Sequence, residues 1–414
     1  MGQRILYIHQ YFRTPEMAGG TRSYEFARRL VHAGHNVQMI TADTEGLHGT
    51  KRKWTQTRED GIHVHWLRLR YSNKLGYGKR MLSFARFAVA AAGKARRLGG
   101  DVVFATSTPL TVALPGVYAS QMLRIPMVFE VRDLWPELPI ALEALRNPLL
   151  IGIAKRLERF AYAHAARIIA LSPGMRDGVV RTGFPADRIA VIPNASDTKL
   201  FSCSRDEGRS FLEQYISELP SRIVTYAGTL GLANGVGYLV KVAEIMRLLN
   251  PCVGFLIVGD GRERELIHGA AKKAGVLDRS LWMIPRVSKR DMPKVLAGSD
   301  IATSFVIDVP VMWNNSANKF FDTLAAGRPM AINHQGWQAE LLERSGAGIV
   351  LPPNDARTAA EILARFLSSN ERLEIASIAA RQLAEQEFDR DLLFRRFHDV
   401  ILEAAGRGIA VKSR

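Results

Sequence analysis

Short apolar runs alternate with amphipathic stretches twice along this chain. The first series opens with RILYIHQ and a helical pattern from about 21 to 34, in which Tyr24, Phe26, Ala27 and Leu30 share one face. HNVQMITA, IHVHWLRL, a long helical pattern at 79–98, DVVFATS, a helix near 110–122 and PMVFEVRD follow. A helix near 148–165, ARIIALS, a short helix and RIAVIPN complete the series. The second series opens with RIVTYAGTLG, a helix at about 236–249 and VGFLIVGDG. LWMIP, DIATSFV, a helix at 318–326, PMAINH, a helix near 337–344 and AGIVLPP come next, and helical patterns fill 356–405. Strands rich in Val, Ile, Leu and Phe that alternate with amphipathic helices predict parallel sheets covered on both faces. The expected fold is therefore α/β, with two Rossmann-like domains facing each other across a cleft. The expected boundaries are 1–200 and 201–385, with a C-terminal helix, 386–414, packing back on the first domain. The polar segment SDTKLFSCSRDEGRSF, 196–211, reads as an irregular linker between them.

Composition narrows the class. The 47% hydrophobic and 23% charged residues in a chain of 414 suit a globular protein of two or three domains. No apolar run is long enough to span a bilayer, and MGQRILYIHQYF reads as no secretory signal. Two cysteines, Cys203 and Cys252, match no metal spacing and no disulfide framework. His63 and His65 alternate on one strand with no third ligand nearby, so they read as a solvated face and no metal site is expected.

Charge is distributed unevenly. Residues 1–185 hold 27 basic and 13 acidic side chains, and the remainder holds 29 and 27. From Gly61 to Gly100 there are nine basic residues and no acidic one. Such asymmetry points to an anionic partner for the first half. On the 79–98 helix, Phe84 and Phe87 lie in a broad apolar surface beside Lys79, Arg80 and Arg86. That pattern suits either a helix lying on a membrane or a sheet-covering helix with a basic outer face. The membrane reading assigns these five residues to membrane or acceptor contact.

Three segments carry candidate chemistry. Gly19 and Gly20 precede a helix whose amino terminus favours anions, although the spacing is not the dinucleotide fingerprint. VFEVRDLWPE, 128–137, presents Arg132 and Asp133 where a buried strand ends, either as a site or as a pair fixing a loop. NNSANKFFDTLAAGRP, 314–329, places Asn314 and Asn318 at a helix start. Lys319 and Asp322 follow, three apart on one face. This arrangement suits a nucleotide, with phosphate at the helix amino end and ribose on Asp322. The alternative is a surface ion pair of little energetic value.

These motifs, with LSPGMRDGVVRTGFPADRIAVIPNASD, YAGTLGLANGVGYLV and LIVGDGRERELI, resemble over nearly the whole chain a retaining glycosyltransferase of the GT-B fold. The family-four group is the nearest in pattern, and within it the bacterial O-antigen and capsule transferases of the WbuB type. The resemblance implies that Gly19 and Gly20 form the glycine loop near donor phosphates and acceptor, and that Gly228 and Thr229 belong to the donor site. Asp322 takes the place of the ribose-holding Glu. The first carboxylate of that motif falls at Asn314. The usual Arg and Lys for the diphosphate fall near Thr229 and Asn234, so Lys319 is expected to supply the missing charge. Arg132 stands where many relatives carry His, and Asp133 is retained. The implied function is transfer of an N-acetylhexosamine or 6-deoxy relative from a UDP-sugar in surface polysaccharide (lipopolysaccharide, O-antigen or capsule) synthesis. The implied acceptor is polyprenyl-diphosphate-linked or otherwise lipid-linked. Retention of configuration, no metal, no cofactor, no nucleic acid and a cytoplasmic, peripheral position on the inner face of the cell membrane are implied with it. Two other classes share parts of the pattern. One is a GT-B UDP-sugar 2-epimerase, and the other a non-catalytic basic module that binds membrane or nucleic acid.

Overall fold

The computed structural model describes residues 2–17, 19–46, 52–69 and 76–412. Arg70 and Lys74, which contribute to the basic stretch, lie outside them. The chain forms two compact units. One is Met1–Pro193 with Phe394–Arg414, and the other is Asn194–Leu393.

The first unit is built on eight strands. They are β1 (Arg4–Ile8), β2 (Asn36–Asp43), β3 (Trp54–Glu59), β4 (Ile62–Arg68), β5 (Val102–Thr106), β6 (Met127–Val131), β7 (Arg167–Ala170) and β8 (Ile189–Val191). Their order is β3-β4-β2-β1-β5-β6-β7-β8, and every pairing is parallel except β3 with β4. Central strands are wholly buried, which is why they read as unbroken apolar runs. The pleat sends alternate residues to opposite faces. On one face Leu6, Ile8, Val103, Ala105, Met127 and Phe129 pack under the helices Tyr77–Leu98, Ala113–Leu123 and Pro148–Ala163. On the other, Tyr7 meets Phe104 edge-on, and Phe397 packs against both Phe104 and Phe26. The helices Arg22–His32 and Arg390–Lys412 therefore cover that second face.

The second unit carries six parallel strands: β9 (Arg222–Ala227), β10 (Val253–Val258), β11 (Leu281–Ile284), β12 (Ile301–Ser304), β13 (Met330–Ile332) and β14 (Gly348–Val350). Their order is β11-β10-β9-β12-β13-β14. From β9 the chain steps outward to β11, then returns to β12 and steps out on the other side. Both units are Rossmann-like α/β domains.

Four expectations need correction. Part of the segment 196–211 is not irregular, because Arg205–Leu212 is a helix. Ser204 and Glu207 cap it reciprocally, and its Phe211 and Leu212 are buried. The antiparallel β3 was not anticipated; it turns into β4 through Asp60-Gly61, both at positive φ. The solvated face holds for His63 but not for His65, which is buried with its Nε2 2.8 Å from Gln38 Oε1. Phe84 and Phe87 do not face outward. They are 6% and 1% exposed, because the sheet needs an apolar cover and these residues supply it. Among the described residues no helix is long and apolar enough to cross a membrane, and no cluster of three or more metal-ligating side chains occurs.

Candidate active site

Open parallel sheets bind ligands beyond the carboxyl ends of the strands, where the strand order reverses. In the first unit that point lies between β1 and β5. β1 ends at Ile8, and the chain continues through buried His9 and Gln10 to Gly19, Gly20 and the helix Arg22–His32. Gly19 has φ +133°, and a Cβ there would lie 3.2 Å from Arg13 Cγ, so a side chain would be strained and crowded. Arg132 and Asp133 follow β6 at the same end. Arg132 Nη1 is 3.4 Å from His9 Nε2, and the Asp133 carboxylate accepts a 3.1 Å bond from the Thr108 hydroxyl. Burial, then the charges of Arg132 and Arg13, hold His9 well below the usual imidazole range, so its ring is neutral. Burial raises the Asp133 carboxyl, opposed by Arg132 and the Thr108 hydroxyl.

A buried ion pair fixes this end of the sheet. Arg22, on the helix after the glycines, donates from Nε and Nη2 to Glu130 Oε1 at 3.0 and 2.9 Å. Glu130 is 0% exposed, and its other oxygen accepts from Thr106 Oγ1 at 2.6 Å. Arg22 Nη2 also reaches the Ile192 carbonyl at 2.9 Å. One guanidinium thus joins the first helix, β6 and the segment leaving β8. Sequence reasoning named neither residue, since nothing local links positions 108 apart in the chain.

In the second unit the reversal lies between β9 and β12. Gly228 and Thr229 follow β9, and the helix Asn318–Ala325 follows β12 after the turn Pro310–Asn314, which ends at Asn314. The structure brings Lys319 onto the glycine turn. Its ammonium donates to Tyr226 Oη at 2.7 Å and to Asn234 Oδ1 at 3.3 Å, and it lies 4.1 Å from the centre of the Tyr226 ring. Tyr226 in turn donates to the Thr229 carbonyl at 2.8 Å. A Cβ on Gly228 would come within 3.0–3.1 Å of Cε and Nζ of Lys319, so the glycine makes room for the lysine. Burial pulls Lys319 down to about 7. Of the two positions where the resemblance expects Arg and Lys, Asn234 therefore bonds the Lys319 ammonium directly and Thr229 is joined to it through Tyr226.

Asp322 stands one turn further along. It does not pair with Lys319 but accepts a 2.9 Å bond from the Ser196 hydroxyl. Burial raises its carboxyl, opposed by Lys289, the Ser196 hydroxyl and Arg390. The helix start is held firmly: the backbone of Asn194 donates to Ser316 Oγ at 3.0 Å, and Asn315 Oδ1 accepts from Ala317 N at 3.2 Å. Asn318 opens the helix, and Phe320 and Phe321 bury its inner side beside Trp337. A cation and a carboxylate are thus carried within the first two turns of one helix. That set suits an anionic nucleotide.

Residues 18–195 match the family described as Glycosyl transferase 4-like domain, and residues 211–383 match Glycosyl transferases group 1. Each of the two domains thus matches a glycosyltransferase family, and the fold is that of the GT-B glycosyltransferases. This GT-B chain is 24% identical over 260 residues to the alpha-D-kanosaminyltransferase of Streptomyces kanamyceticus, covering 62% of this chain and 64% of that one. It spans less than two thirds of the length of the first curated relatives that it matches. It is 27% identical to a Symbiobacterium thermophilum protein over 76% of this chain and 75% of that one. That protein is named as a UDP-N-acetylglucosamine–N-acetylmuramyl-(pentapeptide) pyrophosphoryl-undecaprenol N-acetylglucosamine transferase. Among solved structures, Anabaena HepE in complex with UDP superposes with a TM-score of 0.71 at 17% identity, over 97% of this chain and 100% of that one.

Proposed function

We propose that this chain transfers a sugar, an N-acetylhexosamine or a 6-deoxy relative, from a UDP-sugar to a lipid-linked glycan in surface polysaccharide synthesis. The polymer is of the O-antigen or capsule type, and the acceptor is held by a polyprenyl diphosphate at the inner face of the membrane. The observation that carries the reading is Lys319 poised on the Gly228 turn, with Asp322 on the same helix. UDP bound to the similar HepE and the pyrophosphoryl-undecaprenol named for the Symbiobacterium relative support the donor and the acceptor. In this reading Asp322 holds the ribose hydroxyls, while Asn314 and Asn318 line the sugar and phosphate end of the helix. Lys319, with the backbone at Gly228 and Thr229, neutralises the diphosphate, and no resident metal is called for. The bond from sugar C1 to the β-phosphate oxygen breaks, and the acceptor oxygen bonds C1 from the same face. The acceptor proton passes to the departing diphosphate. Asp133 orients the acceptor hydroxyl, with Arg132 beside it and Gly19 and Gly20 at the phosphates. Stabilising the leaving charge in a fixed polar site supplies the rate.

The test has two parts. UDP-, GDP- and dTDP-sugars are screened for a rise in melting temperature, since a ligand that binds only the native state raises it. The best donor is then incubated with polyprenyl-diphosphate glycans, and products are identified by mass spectrometry and anomeric NMR. Stabilisation by UDP-sugars and an α-linked product from an α-linked donor are expected. Free 2-epimerised sugar without any acceptor, or no stabilisation by any nucleotide-sugar, overturns the reading.

A further inference from the structure

The helices Tyr77–Leu98, Ala113–Leu123 and Pro148–Ala163 lie side by side over one face of the first sheet and feed a single core. A helix that covers a sheet ordinarily turns its polar side outward. These three do not. Leu82 and Val89 project outward two turns apart on the first helix, Tyr118 and Met122 one turn apart on the second, and Leu149 and Ile153 one turn apart on the third. Val89 and Leu149 are 77% and 78% exposed. The inward positions of the first helix are already filled by Phe84, Phe87 and Ala91, so these outer residues are not a displaced core.

The exposed charges on these three helices have one sign. Lys79, Arg86, Arg156 and Arg159 are exposed there, with Arg86 on the same stripe as Leu82 and Val89. The only carboxylate in the three helices is Glu158, which is buried and pushed up to about 7 by that burial, by the charge of Glu137 and against the pull of nearby groups. The second unit gives the contrast. Leu248 and Leu266 are as exposed, yet exposed Glu244 and Glu265 stand beside them. Apolar side chains interleaved with cations, on helices that carry no exposed carboxylate of their own, match a surface that is apolar beneath and negative at its boundary. A second copy of the same face would meet its own positive charge.

We propose that the outer face of these three helices docks on an anionic lipid bilayer, with Leu82, Val89, Tyr118, Met122, Leu149 and Ile153 entering the interface and the four cations at the headgroups. The stems of Lys and Arg can lie along the apolar layer while their charges reach the phosphates. This surface replaces Phe84 and Phe87 as the membrane contact, and it stands on exposure and charge rather than on the sugar-transfer reading.

The experiment is flotation of the full chain with vesicles of phosphatidylcholine alone and of phosphatidylcholine mixed with phosphatidylglycerol. Wild type is compared with a triple variant (Val89→Glu, Leu149→Glu, Ile153→Glu) and with a control (Leu248→Glu, Leu266→Glu). All changed residues are exposed, and melting curves with and without UDP verify folding and follow the donor site separately. Wild type and control are expected to float with the phosphatidylglycerol vesicles. The triple variant should lose on the order of a hundredfold in partitioning, because each charge near an anionic surface changes it about fivefold. Equal flotation of triple variant and wild type overturns the proposal, as does equal loss in the control. Failure of wild type to float overturns it too. If wild type also self-associates and the triple variant does not, the face belongs to a second copy; if it instead captures an acidic protein, it belongs to that partner. Loss of the UDP response alone counts against the transferase reading and leaves the docking surface standing.

Discussion

Lys319 should make nucleotide binding depend on pH with a definite sign. The amine is pulled down to about 7, and its neighbours are the neutral Tyr226 and Asn234. Between pH 7 and its ordinary value, the folded free protein therefore holds fewer protons on this group than the unfolded chain. Stability conferred through Lys319 rises with pH across that window, since burial of the charged form no longer costs. A bound diphosphate reverses the balance. Opposite charge at ion-pair distance raises an amine by one to three units, so a bound value of about 9 is reasonable. At pH 8 the free amine is then about one tenth protonated and the bound amine about nine tenths, so each UDP that binds takes up about 0.8 proton. The same linkage weakens affinity about 25-fold from pH 7 to pH 9. Isothermal titration in buffers of different ionisation enthalpy measures the uptake directly. Lys319→Met should bind UDP weakly with no uptake, and Lys319→Arg should bind without the pH slope. If wild type binds UDP at pH 8 with no proton uptake, or the Met variant keeps the uptake, the ammonium is not at the diphosphate.

Asp322→Asn should weaken UDP binding by about ten- to a hundredfold, the usual worth of hydrogen bonds to a charged acceptor. It should cost no stability, because a carboxyl raised by burial is a charge the fold holds at a penalty that is relieved as pH falls. A large fall in melting temperature with unchanged UDP affinity would show a structural carboxylate instead. Asp133→Ala should abolish transfer while the melting shift with UDP stays intact; near-normal transfer at saturating donor would remove Asp133 from the acceptor side. Arg22→Leu leaves Glu130 buried without its cation and should cost about 3–5 kcal/mol in urea unfolding. Adding Glu130→Leu should recover much of that loss, and additive losses would refute the pairing. Ser204→Ala removes the reciprocal cap of the helix Arg205–Leu212 and should cost about 1 kcal/mol by the same measurement.

The two parallel sheets were legible because strands buried on both faces must be continuous apolar runs, as VVFAT and VGFLIV are. Two local signals were also present but were outweighed by polarity. Ser204 three residues before Glu207 is a capping box, and Asp60-Gly61 between Glu59 and Ile62 is a hairpin turn. What sequence could not supply was the sense of the helix Tyr77–Leu98. It is apolar on both its inward and outward sides, and only the sheet beneath decides which residues are cover. At the candidate site of the second unit, Lys319 and Asp322 could be chosen from their place on one helix. Their partners could not, because Tyr226, Asn234 and Ser196 come from other strands and turns. The lysine's closeness to the glycine turn is likewise a tertiary fact, and it gives physical content to the exchange of two expected cations for one.

The aromatic seam of Phe26, Phe104 and Phe397 has a consequence for how the chain is made. Its first two members leave the ribosome long before the third. In between, residues 194–393 form a unit with its own core and can fold as they emerge. During all that time one face of the eight-stranded sheet lacks one of the two helices that cover it, with part of the surface around Phe26 and Phe104 open to water. Synthesis therefore finishes the second unit before the first. A nascent chain from which residues up to about 390 have emerged would carry a completed second unit and an adhesive, half-dressed sheet, which is the state a chaperone would meet.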